Sequence, residues 1–136
     1  MEFTAGRAGS ESSRVAFSVV DYRSRQVILR EDTWQHHILF ETTLGKPHHQ
    51  EMEGHLEDIK YIIQDPEVVV RDPSYPTREQ MYGLVVSEAL DRIKPLRVVV
   101  DHGPSPAEVV TAHIISKMPR LASTGGVIYV RRRDRR

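Results

Sequence analysis

The sequence predicts an α+β domain: N-terminal strands and two helices packed on one face of a twisted antiparallel sheet of four to five strands. Two observations carry this. Met52, Leu56, Ile59, Ile62 and Ile63 recur at spacings of 4, 3, 3 and 1, the clearest helical stripe in the chain. After Pro66 the apolar pattern changes to β-branched strand segments separated by Gly/Pro turns. With 136 residues, 39% of them hydrophobic, the chain suffices for one core and not for two full domains.

The elements follow in order. Met1–Ser13 is rich in Gly, Ser and Ala and reads as a flexible leader; 14–130 is the domain; 131–136 is a basic tail. Arg14–Val20 and Gln26–Leu29 read as strands joined by a turn at Asp21–Arg25. Asp32 or Thr33 is placed to cap a helix from Trp34, with Trp34 and Ile38 four apart on its core face. Gly45-Lys46-Pro47 breaks that helix, and a second is expected from about His49 to Gln64, ended by Asp65-Pro66. Glu67–Arg71, Met81–Ser87, Leu96–Asp101 and Glu108–Ile115 read as strands, with Glu88–Pro95 a long connection. Gly126–Val130 adds an edge strand.

Composition narrows the function. No apolar run approaches the ~20 residues that span a bilayer, and Met1–Ser13 lacks the apolar centre of a signal peptide. A cytoplasmic protein without a membrane partner is therefore expected. The absence of cysteine removes disulfides, thiolate nucleophiles and Cys-based zinc sites. Net charge is zero, yet Met1–Asp91 holds 9 Lys/Arg against 16 Asp/Glu, and Arg92–Arg136 holds 10 against 3. Such a split points to a polyanion or an acidic partner near the C-terminal part.

Histidine is the chemically suggestive residue. Seven occur, among them the neighbouring pairs His36-His37 and His48-His49. No HExxH spacing exists, so no metal site is expected; no P-loop, GxGxxG or GxSxG is present either. What remains is acid/base chemistry by imidazole with a cation in support, and no cofactor. RNA phosphodiester cleavage needs such a set: one group takes the 2′-OH proton, another protonates the leaving oxygen, and a cation or hydroxyl holds the phosphate. Along Val109–His113, strand alternation puts Thr111 opposite to Val110 and Ala112 and on one face with His113.

Several segments resemble the phage-associated branch of the barnase–EndoU–colicin–RelE nuclease superfamily. Thr33-Trp34-Gln35-His36-His37-Ile38-Leu39 looks like its Trp-x-x-His-Ile helix. His49-Gln50-Glu51-Met52 is similar to its His-Pro-Glu-Leu element, with Gln50 in place of proline. Leu56-Glu57-Asp58-Ile59 and Ile63-Gln64-Asp65-Pro66-Glu67-Val68 resemble its second helix and strand entry, and Val109-Val110-Thr111-Ala112-His113 its Val-Val-Thr-Ala-Tyr strand, with His113 replacing the aromatic.

The resemblance implies a RelE/barnase-like fold and a metal-independent endoribonuclease of toxin type. RNA would be its partner, and an antitoxin or immunity protein its possible regulator. By carry-over, His37, His49 and Thr111 are the catalytic candidates. Arg71, Arg97, His113 and Lys117 are candidates for binding RNA phosphates. Two alternatives stand beside this reading: a non-catalytic RNA- or protein-binding module, and a histidine-rich metal-dependent hydrolase.

Overall fold

The computed structural model describes residues 14–41, 46–47, 52–87 and 91–132. The expected leader and the tail residues 133–136 lie outside them, as does His49.

The N-terminal hairpin forms as the sequence predicts. Strands β1 (Val15–Val20) and β2 (Gln26–Arg30) pair antiparallel. Asp21 organises the turn between them: its carboxylate accepts the backbone N–H groups of Arg23 and Arg25 at 2.9 and 2.8 Å and the Arg25 Nε–H at 2.9 Å. Thr33–Leu39 then winds as a π-helix that buries Trp34, Ile38 and Leu39. Short strands β3 (Phe40–Glu41) and β4 (Lys46–Pro47) pair with each other.

The helix carrying the apolar stripe, α1, spans Leu56–Gln64 and buries Ile59, Ile62 and Ile63. It starts later than the expected His49. Gly54 sits at φ +90°, a left-handed conformation that stops helical winding, and His55 takes the N-cap position with Nδ1 2.8 Å from the Asp58 carboxylate. The remaining strands are β5 (Val68–Arg71), β6 (Arg78–Ser87), β7 (Arg92–Asp101), β8 (Ala107–Ile114) and β9 (Val127–Val130). The connection expected over Glu88–Pro95 is shorter than predicted, because β7 already begins at Arg92.

The expected architecture is overturned here. The described residues are mostly β: one mixed sheet of seven strands in the order β1-β2-β8-β7-β6-β5-β9, accompanied by the π-helix, α1 and a single 3-10 turn at Leu121–Ser123. It is not the expected RelE/barnase-like arrangement of a four- to five-stranded antiparallel sheet under a layer of two helices. The physical reason lies in β2. Val27, Ile28 and Leu29 are all buried, an uninterrupted apolar run suited to the interior of a sheet. Instead of flanking the sheet as part of a separate hairpin, β2 joins it through parallel pairing with β8, Val27 opposite Ala107 and Ile28 opposite Glu108. No helix among the described residues is long and apolar enough to cross a membrane.

One core unites these parts. Phe17, Val19, Val27 and Leu29 from the hairpin meet Trp34 and Ile38 from the π-helix. Ile59, Ile62 and Ile63 from α1 meet Met81, Val85, Leu96, Val98, Val100 and Val109 from the sheet. Gly83 allows the close approach of α1 to β6, since a Cβ there would stand 2.5 Å from Ile62 Cγ1. Substituting Gly83→Ala should therefore destabilise the fold by ~1–3 kcal/mol through overpacking. An unchanged denaturation midpoint would show that α1 does not rest on β6 as described.

A buried acid ties one end of the sheet together. Glu79, at the start of β6, accepts Tyr22 Oη at 3.1 Å and is bridged by Arg25 at 3.1 Å, while His102 Nε2 lies 3.3 Å away. The Tyr22 ring in turn meets Tyr129 of β9, with centroids 4.8 Å apart. Burial alone would push the Glu79 carboxyl up, but His102 and Arg25 outweigh it and hold it at about 2. Burial, joined by the adjacent Glu79 charge, pushes Tyr22 up to about 12. A carboxylate near 2 when folded and 4.5 when free contributes stability above the free value. That contribution, ~3 kcal/mol, should disappear as pH falls from about 4.5 through 2. Urea midpoints measured across this window should fall more steeply for the wild type than for Glu79→Gln; identical slopes would remove Glu79 from the acid response.

Candidate functional site

The central strands β6, β7 and β8 carry a polar stripe on the face turned away from the core. On β7, Leu96, Val98 and Val100 point into the core, which leaves Arg97, Val99 and Asp101 on the other face. On β8 the register shifts: Val99 lies opposite Thr111, whereas Val100 lies opposite Val109, and Val110 is the extra residue of a bulge. The bulge gives Val109 the core position and sets Thr111 and His113 beside Val99 and Arg97. The expected sharing of one face by Thr111 and His113 holds. The assignment of Val110 to the face of Ala112 does not, because the bulge intervenes.

Arg97 Nη2 lies 2.8 Å from His113 Nε2. A guanidinium only donates, so this contact requires Nε2 to accept, which makes His113 the neutral Nδ1–H tautomer. Arg97 Nε is buried and has no hydrogen-bond acceptor among the described residues. From β6, Tyr82 donates to Gln80 Oε1 at 2.7 Å, and Gln80 Nε2 donates to Asp72 at 3.0 Å. Burial pushes the Tyr82 phenol up against the opposing effect of Arg97. Asp72 is held below the usual carboxylate range: burial opposes this, but the N–H groups of Ser74 and Tyr75 and the Gln80 amide prevail.

At the other end of the stripe Asp101 and Glu108 stand opposite each other. Gly103 N–H and Thr77 Oγ1 each donate to Asp101 at 2.8 Å and keep its carboxyl low. Arg30 pairs with Glu108 at 3.1 Å. Here exposed His37, on the π-helix, borders a pocket of about 200 Å³ with Thr33, Asp101, Pro104, Glu108 and Val110. His37 thus meets β8 at Glu108–Val110, and Thr111 and His113 follow farther along the strand.

The sequence-derived candidates divide accordingly. Arg97, His113 and Thr111 come together toward the end of β8, whereas His37 borders the start of that strand, beside Glu108 and Val110. Arg71 does not join them: it ends β5 two residues beyond core-facing Val69 and is exposed. Lys117 is exposed beyond the end of β8. His49 lies outside the described residues. Arg131, counted in the basic tail, is engaged by Glu67 at 2.9 Å and by the Asp65 carbonyl at 2.6 Å. Among the described residues no group of three or more His, Asp or Glu could hold a metal ion.

Tyr82, Gln80 and Asp72 escaped the sequence reading. Their signal was present: Arg78, Gln80 and Tyr82 alternate with Glu79 and Met81, so polar side chains recur on one face of a central strand. No family model, curated protein or solved structure matches the chain.

The tautomer of His113 is directly observable. Nitrogen-15 shifts of its ring should show a lone pair on Nε2 and the proton on Nδ1 at neutral pH. A proton on Nε2 would show that Arg97 does not donate to it.

Proposed function

We propose that this chain is a metal-independent endoribonuclease of toxin type. The observation that carries the reading is the 2.8 Å contact between Arg97 and His113 beside Thr111, on one polar face of the central strands. The motif resemblance in Val109–His113 and Thr33–Leu39 and the positive C-terminal part support it. A cytoplasmic setting, with RNA as partner and an antitoxin or immunity protein as regulator, accompanies it.

In this reading the side chains act as follows. The phosphate of the scissile linkage sits over Thr111, whose hydroxyl donates to a non-bridging oxygen. The Arg97 guanidinium turns from His113 to the anion, as a bidentate cation prefers a phosphate to a neutral imidazole. That frees the Nε2 lone pair of His113 to take the 2′-OH proton. The O2′–P bond forms and the P–O5′ bond breaks, leaving a 2′,3′-cyclic phosphate and a 5′-hydroxyl. His37, at the Glu108–Val110 stretch of β8, supplies the proton to the departing 5′ oxygen. The resting Arg97–His113 contact keeps the base neutral and ready, at the cost of an exchange of partners on binding.

The test is RNA cleavage by purified, folded protein in EDTA. His113→Ala, His37→Ala and Thr111→Ala should each lower the rate by ~10²–10⁴-fold or by a lesser factor for the hydroxyl, with thermal unfolding unchanged. No cleavage of any RNA by the wild type overturns the catalytic reading. Binding without cleavage points to the non-catalytic module, and cleavage restored only by added zinc to the metal hydrolase. Full activity in all three variants moves the site elsewhere on the protein.

A further inference from the structure

A second pocket, about 380 Å³, opens on the far side of the β7–β8 turn and is bordered by Arg25, Gln26, His102, Ser105 and Pro106. Pro104 lines both this pocket and the one at His37, so the two adjoin across a single residue. Nothing in the cleavage scheme above uses it.

The pocket's charge decides what it could take. Arg25 is its one arginine, and its guanidinium is committed to Asp21 at 2.9 Å and Glu79 at 3.1 Å. Both of these carboxylates have almost no exposure themselves. The two buried acids already engage both Arg25 and His102, which leaves no uncommitted cation for an anion. A phosphate is therefore a poor occupant. The walls suit a neutral, flat group: the rings of Pro104, Pro106 and His102 offer apolar and aromatic faces, and bases stack readily on such surfaces. Gln26 and Ser105 supply hydrogen-bonding edges at the rim. The volume lies in the range of pockets that hold small organic ligands.

We propose that this pocket is a nucleobase subsite, which holds the base of a nucleotide next to, or one removed from, the scissile phosphate on the His37 side. The choice of ligand rests on the ribonuclease reading. The subsite would give the enzyme its sequence preference, because Gln26 and Ser105 present donor and acceptor groups to a base edge while Arg97, His113 and Thr111 address only the backbone. Glu79 acts here as a positioning residue: it holds Arg25 and His102 as fixed walls.

The experiment titrates the full chain with adenosine, guanosine, cytidine and uridine in turn, and with inorganic phosphate, while following the ring resonances of His102. At least one nucleoside should shift them saturably at millimolar concentration, phosphate should not, and Gln26→Ala should weaken that nucleoside by ~5-fold or more, one lost hydrogen bond. Gln26 is exposed, and its side chain donates to Ser18 while its backbone pairing with Val20 does not depend on the side chain, so the variant stays folded. A response to phosphate alone overturns the proposal in favour of an anion site. No response to any nucleoside from a protein that cleaves RNA overturns it and leaves the ribonuclease reading standing. A nucleoside response, weakened by Gln26→Ala, from a protein that cleaves no RNA upholds the pocket and overturns the ribonuclease reading.

Discussion

Glu79 is the group on which the arrangement of this molecule depends. The seven-stranded sheet runs from β1 at one edge to β9 at the other, and its ladders alone do not tie the β1–β2 turn to the start of β6 and the β7–β8 turn. One buried carboxylate does so by collecting Tyr22 and Arg25 from the β1–β2 turn and His102 from the β7–β8 turn. Such a group is costly to bury and worth keeping only if every lone pair is used. Here both carboxylate oxygens are engaged, so the desolvation of the charge is offset by several short contacts at once. The fold's polar face and its pockets are positioned relative to each other through this knot.

The central strands then do the work of placing chemistry. Arg97 and His113 come from different strands and meet because β7 and β8 are in register at that level. Thr111 joins them because a bulge at Val110 restores the alternation of β8 after Val109 has been taken into the core. Without the extra residue, either Val109 or Thr111 would face the wrong way. The bulge is thus a device for serving two masters on one strand: a core that needs Ala107, Val109 and Ala112, and a polar face that needs Thr111 and His113.

Much of this was legible in the residues, for local reasons. The turn at Asp21, the stripe of α1 and the strands after Pro66 follow from spacing and turn chemistry within a few residues. What failed was non-local. The start of α1 was placed too early because apolar spacing alone does not reveal that Gly54 takes a left-handed conformation. The number of strands was underestimated because the parallel pairing of β2 with β8 joins residues 80 positions apart, Val27 and Ala107. Even so, the continuous burial of Val27–Leu29 left a trace in the sequence as an unbroken apolar run. The Glu79 knot had no such trace: its partners lie 54 and 57 residues away in Arg25 and Tyr22, and an acid in a strand looks like any surface acid. The face shared by Thr111 and His113 was legible from alternation alone, whereas the contact with Arg97 required the register.

The parallel seam between β2 and β8 has a consequence for how the molecule is assembled in time. β8 is the strand that links the N-terminal hairpin to the rest of the sheet, with β2 on one side and β7 on the other. A chain emerging from the ribosome can form the hairpin early, but the hairpin has no sheet to join until residue 107 and its neighbours appear. Closing so long a loop is entropically slow and comes after the local pairings of β5, β6 and β7. The same strand carries Thr111 and His113, so the polar face is completed in the very step that unites the two halves. A chain that ends before residue 107 therefore lacks the strand that carries Thr111 and His113, and their polar face exists only once β8 has paired on both sides.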